Sequence, residues 1–282
     1  MNVMKVVLLM TMILGFAAVS LAETRTWTGN GDGTSWADEQ NWDSAPVSGN
    51  DEFVVIGNSS GSALTITVAD SVSIGALKVT GASANDAVTI TGSGNLTVTC
   101  VGGKEEPSYD VCNNLFAQSL GAVTIDVPIT VPENASLGIG QYSDESSEHP
   151  ERKLVFAKPI GGAGSVSFYS QFGCHIELRA ANAYAGGTVL VRGGSDSEGV
   201  HVYAATPFGT AKRLCSKSAV IHDYANASFD YDLELSSSGQ TSLTFYQEGA
   251  ELNGKVPLRC FVKNRVIVRG LFACPAGRRF SA

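Results

Sequence analysis

The run HIELRAANAYAGGTVLVRGG, residues 175–194, decides the fold class. Its first part, His175-Ile176-Glu177-Leu178-Arg179, alternates polar and apolar side chains, the period-two pattern of a half-buried strand. Ala183-Tyr184-Ala185-Gly186-Gly187 follows, and paired glycines let the backbone take a positive φ in a tight corner. Thr188 to Val191 is β-branched at three of four positions and reads as a second strand. Gly193-Gly194 closes the unit. A strand, a glycine corner and a strand, with no helix between them, is the unit that a stacked β-coil requires.

The same rhythm extends outward. Phe53-Val54-Val55-Ile56, Leu64 to Val68, Val72-Ser73-Ile74, Ala76 to Val79, Ala87 to Thr91 and Leu96 to Thr99 all read as short strands. Gly57 to Gly61, Gly81 to Asp86 and Gly92-Ser93-Gly94 separate them, the last in the manner of a hairpin turn. Strand starts near 53, 64, 72, 87 and 95 are spaced by 11, 8, 15 and 8 residues. Such spacing suits a β-sandwich, a barrel or a β-helix, and periodicity alone does not choose among them. The pattern resumes at Ala122 to Val127 and persists through Val200 to Tyr203, Ala219 to Ile221, Ser228 to Leu235 and Leu243 to Phe245. No long stretch has helical periodicity.

A family likeness chooses. Ile160-Gly161-Gly162-Ala163-Gly164-Ser165-Val166, Ile176-Glu177-Leu178, and Asn182-Ala183-Tyr184-Ala185-Gly186-Gly187-Thr188-Val189 together resemble the autotransporter-associated β-strand repeat. Its core is an apolar strand, then Asn-x-Tyr-x-Gly-Gly-Thr, then a second strand. Pro207-Phe208-Gly209 stands where that repeat usually has Ala-Leu-Gly. The likeness covers residues 160–229. It implies an exported, surface-displayed right-handed parallel β-helix; the strand spacing keeps the β-sandwich as the alternative. Members displayed through an outer-membrane barrel are longer, and no set of ~10-residue amphipathic barrel strands is present here. Display would therefore call for a truncated chain, release, or another attachment.

The expected organisation is a signal peptide over 1–22, a cap over 23–58, solenoid rungs with loops over 59–150, and the repeat-like solenoid over 151–282. Lys5, the apolar run Val6 to Ala18 and Ser20-Leu21-Ala22 have the charge, apolar core and small-residue cleavage site of a secretory signal. Beyond it no apolar run reaches the ~18 residues of a membrane-spanning helix. The formal charge of −8 argues against nucleic acid or an anionic membrane as partner. Charged residues make up only 16% and glycines number 31, which suits a glycine-cornered β protein. Cys100, Cys112, Cys174, Cys215, Cys260 and Cys274 are even in number and exported, so disulfides are permitted, with 15 possible pairings. Residues 141–152, QYSDESSEHPER, read as a solvent-facing loop, and residues 260–282 turn basic.

All three tryptophans, Trp27, Trp36 and Trp42, fall near the start of the mature chain, in a frame that resembles the start of many exported bacterial β-helix proteins. A solenoid's end rung would otherwise expose its interior and an unpaired strand edge, and three indoles can cover both. The alternatives are a carbohydrate-stacking face on those rings, or oxygen ligation of calcium by Gly29-Asn30-Gly31-Asp32-Gly33-Thr34, which lacks the EF-hand spacing.

An enzyme would be a polysaccharide lyase or glycosidase, which needs paired carboxylates. Asp230 with Asp232, on one face of a strand, and Asp126 are the candidates, though no supporting motif surrounds them. His175 and His201 are 26 positions apart and both begin strands, so they could stack in neighbouring coils. A metal there would lack an evident third ligand. The expectation is a non-enzymatic secreted or cell-surface solenoid with a structural, adhesion or passenger-like role. Its partners would be glycans or a host or neighbour cell surface, and no cofactor is implied. The alternative is a carbohydrate-binding or polysaccharide-degrading β-helix.

Overall fold

The computed structural model describes residues 23–44, 48, 52–100, 114–141, 152–170, 174–191, 199–211, 213–217, 219–225, 228–229, 232–235, 243–246 and 251–252. Among them there is no α-helix, and every pairing between named strands is parallel. The chain is a parallel β-helix, and the β-sandwich alternative is excluded.

Among the described residues three long sheets run along the stack, and a two-stranded one pairs Ser228–Phe229 with Glu251–Leu252. The first places Thr24–Thr26, Phe53–Asn58, Ala76–Gly81, Leu115–Ser119, Ser136–Gln141, Ser165–Ser170, Thr188–Val191, Arg213–Lys217 and Asp232–Leu235 side by side. The second has four strands, Val72–Ile74, Leu96–Val98, Ile129–Val131 and Ile160–Gly162. The third runs from Leu64–Thr67 through Val88–Thr91, Val123–Asp126, Lys153–Phe156, His175–Leu178, Gly199–Val202 and Ala219–Asp223 to Leu243–Tyr246. Gly92-Ser93-Gly94 is therefore not a hairpin turn. The strand before it belongs to the third sheet and the strand after it to the second, so it is a corner of the coil.

Period-two alternation sends every second side chain inward, where in-register pairing sets like upon like. Along the third sheet Ile66, Ile90 and Ile125 form one such file. Leu154, Ile176, Val200 and Ile221 form another. One continuous core runs from Trp27 to Ile221, on both sides of residues 142–151. Loop segments vary the coil length. Val88 pairs with Val123, 35 positions on, whereas Val200 pairs with Ile221, 21 positions on. On the first sheet the outer side carries a second buried cluster, Phe53, Ala76, Phe116 and Tyr169, which explains why FVVI lacks alternation.

The glycine-rich pieces read in sequence as one motif occupy corresponding corners of three consecutive coils. Ala183 and Ala185 donate their N–H groups to the carbonyls of Ile160 and Gly162. Asn182 N–H donates to Thr206 O, and Thr210 N–H to Tyr184 O. Thus Ile160-Gly161-Gly162, Asn182 to Gly186 and Thr206 to Thr210 stack on one another. Four of the motif residues have clear roles. The Asn182 Oδ1 accepts from Ile160 N–H at 2.8 Å, and its Nδ2 donates to Pro207 O at 2.6 Å, tying three coils together. The Tyr184 side chain lies in the core, with its hydroxyl 2.6 Å from Thr188 Oγ1, which donates in turn to Phe208 O at 3.1 Å. Gly186 packs so closely that a Cβ would stand 2.5 Å from Gly164 C and Ser165 N.

The stack is closed at its first rung. Thr24–Thr26 pairs along Phe53–Asn58, covering the edge of the first sheet. Ser35 bridges Thr67, with Trp36 N–H donating to Thr67 O and Thr67 N–H to Thr34 O, which covers the edge of the third. The indoles of Trp27 and Trp36 both contact Trp42 edge-on, at 5.0 and 4.9 Å. Trp42 Nε1 donates to Trp36 O at 2.8 Å, so the buried polar atom of that ring is satisfied.

Asn182→Ala strands two buried backbone groups and is expected to lower unfolding free energy by roughly 2–4 kcal/mol. Trp36→Ala opens the lid and is expected to cost ~3–5 kcal/mol. Urea unfolding monitored by circular dichroism measures both, and a loss below ~1 kcal/mol at either position contradicts its assigned role.

Candidate functional site on the third sheet

The outer face of the third sheet gathers chemistry-bearing side chains that lie far apart in sequence. Glu177, His201 and His222 stand in register on three successive coils. One step further along, Arg179, Tyr203 and Tyr224 continue the same strands, held by N–H donation to Phe156 O, Leu178 O and Val202 O. On the other side Lys153, His175 and Gly199 align. Gly199 has φ +129°, and a Cβ there would lie 2.4 Å from Val220 O, so only glycine fits. The bare position leaves room for the His175 ring to stack on His201, with centroids 4.1 Å apart and planes 15° apart. His222 continues the ladder 4.4 Å from His201 at 49°.

Glu177 is nearly buried and anchors the cluster. His175 Nε2 and Lys153 Nζ each lie 3.2 Å from its Oε1, and Arg179 reaches its Oε2 through Nε at 2.7 Å and Nη2 at 2.5 Å. Burial pushes this carboxyl up, but hydrogen bonds from His175 and Arg179 and the charges of Lys153 and Arg179 outweigh it. The net result holds it down at about 2. His201 is 9% exposed, and no hydrogen-bond partner reaches its Nε2. Burial and the neighbouring charges of His175 and His222 push it down to about 3, so it stays neutral. Tyr203 and Tyr224, 41% and 48% exposed, are the large hydrophobic side chains that face water among the described residues. Their rings are parallel within 6° at 4.8 Å, and the Arg179 guanidinium lies 5.6 Å from the Tyr203 centroid. Burial, then the Glu177 charge, raises the Tyr203 phenol.

The expected stacking of His175 with His201 is present. Among the described residues no group of three or more His, Cys, Asp or Glu is arranged to hold a metal. Trp27, Trp36 and Trp42 are only 2–6% exposed. Their faces lie against one another and the core, so a sugar would have to displace the lid to stack on them. The Gly29 to Thr34 loop is closed on itself. Asp32 Oδ1 accepts from Thr34 N–H, Ser35 N–H and Asn41 Nδ2, and Asn41 Oδ1 accepts from Gly31 and Gly33 N–H. Hydrogen bonds from the Ser35 and Thr34 backbone hold the Asp32 carboxyl below its ordinary value. Asp126 faces Thr91 Oγ1 at 3.0 Å and Lys158 at 3.6 Å, not a second carboxylate. Asp230 and the Asp232 side chain lie outside the described residues, as do residues 1–22, 142–151 and 253–282, His149, Cys112, Cys260, Cys274 and the Cys215 side chain. Cys174 is buried and Cys100 is half-buried, its Sγ 3.6 Å from Val98 O.

Sequence reading passed over Glu177, Arg179, Tyr203 and Tyr224 as site residues. The available signal was the recurrence of polar or aromatic side chains 24 and then 21 positions apart, which becomes visible only when coil lengths are known.

Both depressed groups make the fold acid-sensitive. Unfolded His201 takes a proton near its ordinary 6.5 and folded His201 only near 3, so stability falls as pH drops below 6.5. Glu177 adds a further loss as pH falls from about 4.5 toward 2. The unfolding free energy of the wild type should therefore decline between pH 6.5 and 4.5 by on the order of a few kcal/mol, and the melting temperature should fall with it. His201→Phe should flatten that interval. Equal slopes in the two proteins would contradict the assignment.

No protein-family model, curated protein or solved structure matches this chain.

Proposed function

We propose that this chain is an exported, non-enzymatic β-solenoid that acts as a surface or secreted scaffold, in a structural, adhesion or passenger-like role, and that it is akin to autotransporter-associated repeat proteins. The observation that carries the reading is the single side-chain-filled core from Trp27 to Ile221. Its interior is occupied by its own side chains, so ligands and partners are met on the outer faces and loops. The stacked Asn182 to Gly186 corner supports the kinship, because Asn182, Tyr184, Gly186 and Thr188 of the Asn-x-Tyr-x-Gly-Gly-Thr core each have a packing role there. The leader-like residues 1–22 support export.

Expression with and without residues 1–22, followed by fractionation and N-terminal sequencing, tests the proposal. The full chain is expected outside the cytoplasm, beginning at Glu23, and the shortened chain inside. Cytoplasmic retention of both contradicts export. Release of reducing or unsaturated ends from a polysaccharide panel contradicts the non-enzymatic role.

A further inference from the structure

We infer that the outer face of the third sheet, centred on Tyr203, Tyr224 and Arg179, is a binding site for an acidic polysaccharide of uronate type. Large apolar side chains on a protein surface cost solvation unless they meet a partner, and an aromatic strip rimmed by polar groups is the usual form of such a site. Among the described residues the exposed aromatic surface is concentrated in one place. The two phenols lie parallel at 4.8 Å on adjacent coils, and Arg179 occupies the same column one coil before them. Together they make a strip of planar groups repeating at the strand spacing along the solenoid. With the ring faces turned to one another, the strip presents phenol edges and hydroxyls outward, along which a sugar chain can lie. The phenol hydroxyls and the guanidinium suit its hydroxyls and carboxylate.

Charge selects the acidic class. The chain carries a formal −8, yet among the described residues Lys153 and Arg179 together outweigh Glu177 at this face. Nearby Asp126 is matched by Lys158. Asp223 is buried, its Oδ1 accepting from Ala225 N–H. A cationic island on an acidic rod favours an anionic ligand. The Arg179 side chain remains half exposed while Glu177 grips it, so the guanidinium is fixed in direction and still open to a ligand carboxylate. His201, nine-tenths buried beside Tyr224 at 5.5 Å, backs the strip.

The proposal rests on the exported-scaffold reading for where polysaccharide is met. The purified chain tests it without export, so a failed localisation and a failed binding experiment are separate results. Titration calorimetry with polygalacturonate, and with neutral dextran as comparator, is the measurement. The wild type should bind polygalacturonate, more weakly as salt rises, and should bind dextran at least tenfold more weakly. Tyr203→Ala/Tyr224→Ala should weaken binding at least tenfold with the circular dichroism spectrum unchanged, and Arg179→Gln should remove the preference over dextran. No wild-type binding, equal binding of the two polymers, or undiminished binding by the folded double variant would overturn it.

Discussion

Parallel, in-register pairing between successive coils is the constraint on which the rest of this molecule depends. It satisfies the backbone of each strand from above and below and sets equivalent side chains on top of one another. Inward positions must then be apolar on every coil, as in the Leu154, Ile176, Val200 and Ile221 file. Outward positions are free to vary, and they collect whatever chemistry the molecule presents. Interior uniformity and exterior variety follow from the same hydrogen-bond ladder.

A ladder of this kind has two weak points, its corners and its ends. At the corners adjacent coils approach within backbone contact, which is why Gly186 tolerates no Cβ and why Asn182, not a second backbone strand, links Ile160 to Pro207. At the first rung, Thr24–Thr26 and Thr34 to Trp36 satisfy the open edges of the first and third sheets. The three indoles then close the apolar interior between those edges. Asp32 and Asn41 hold the connecting loop by saturating its N–H groups, so the loop's acidic and amide oxygens serve the lid.

The outer face of the third sheet carries the same logic into electrostatics. Register forces Glu177, His201 and His222 into one column, and the absence of a side chain at Gly199 lets His175 join them. A carboxylate gripped by three basic side chains is strongly stabilised in its charged form, whereas an imidazole buried between two others is stabilised in its neutral form. Acid strains both. The exposed phenols alongside are then supported by a rigid, already paired layer, which is the condition for a preorganised surface.

Most strands were legible in the sequence because alternation of Val, Ile and Leu with Thr or Ser is local. Leu64–Thr67, Val72–Ile74, Val88–Thr91 and Leu96–Val98 coincide closely with the expected segments. The tryptophan lid was legible because three large rings cluster in a short, glycine-rich stretch. The role of Gly92-Ser93-Gly94 was not, since a glycine turn looks alike whether the chain folds back or proceeds to another sheet. The sequence by itself determined a stack of short strands with glycine corners and an aromatic beginning, because those features depend on neighbouring residues. Only the tertiary structure decided which outward side chains meet. The coils differ in length from 19 to 38 residues, as the Arg213–Asp232 and Leu77–Leu115 pairs show, so register, and with it the meeting of Glu177 with His201 and of Tyr203 with Tyr224, has no fixed spacing along the chain.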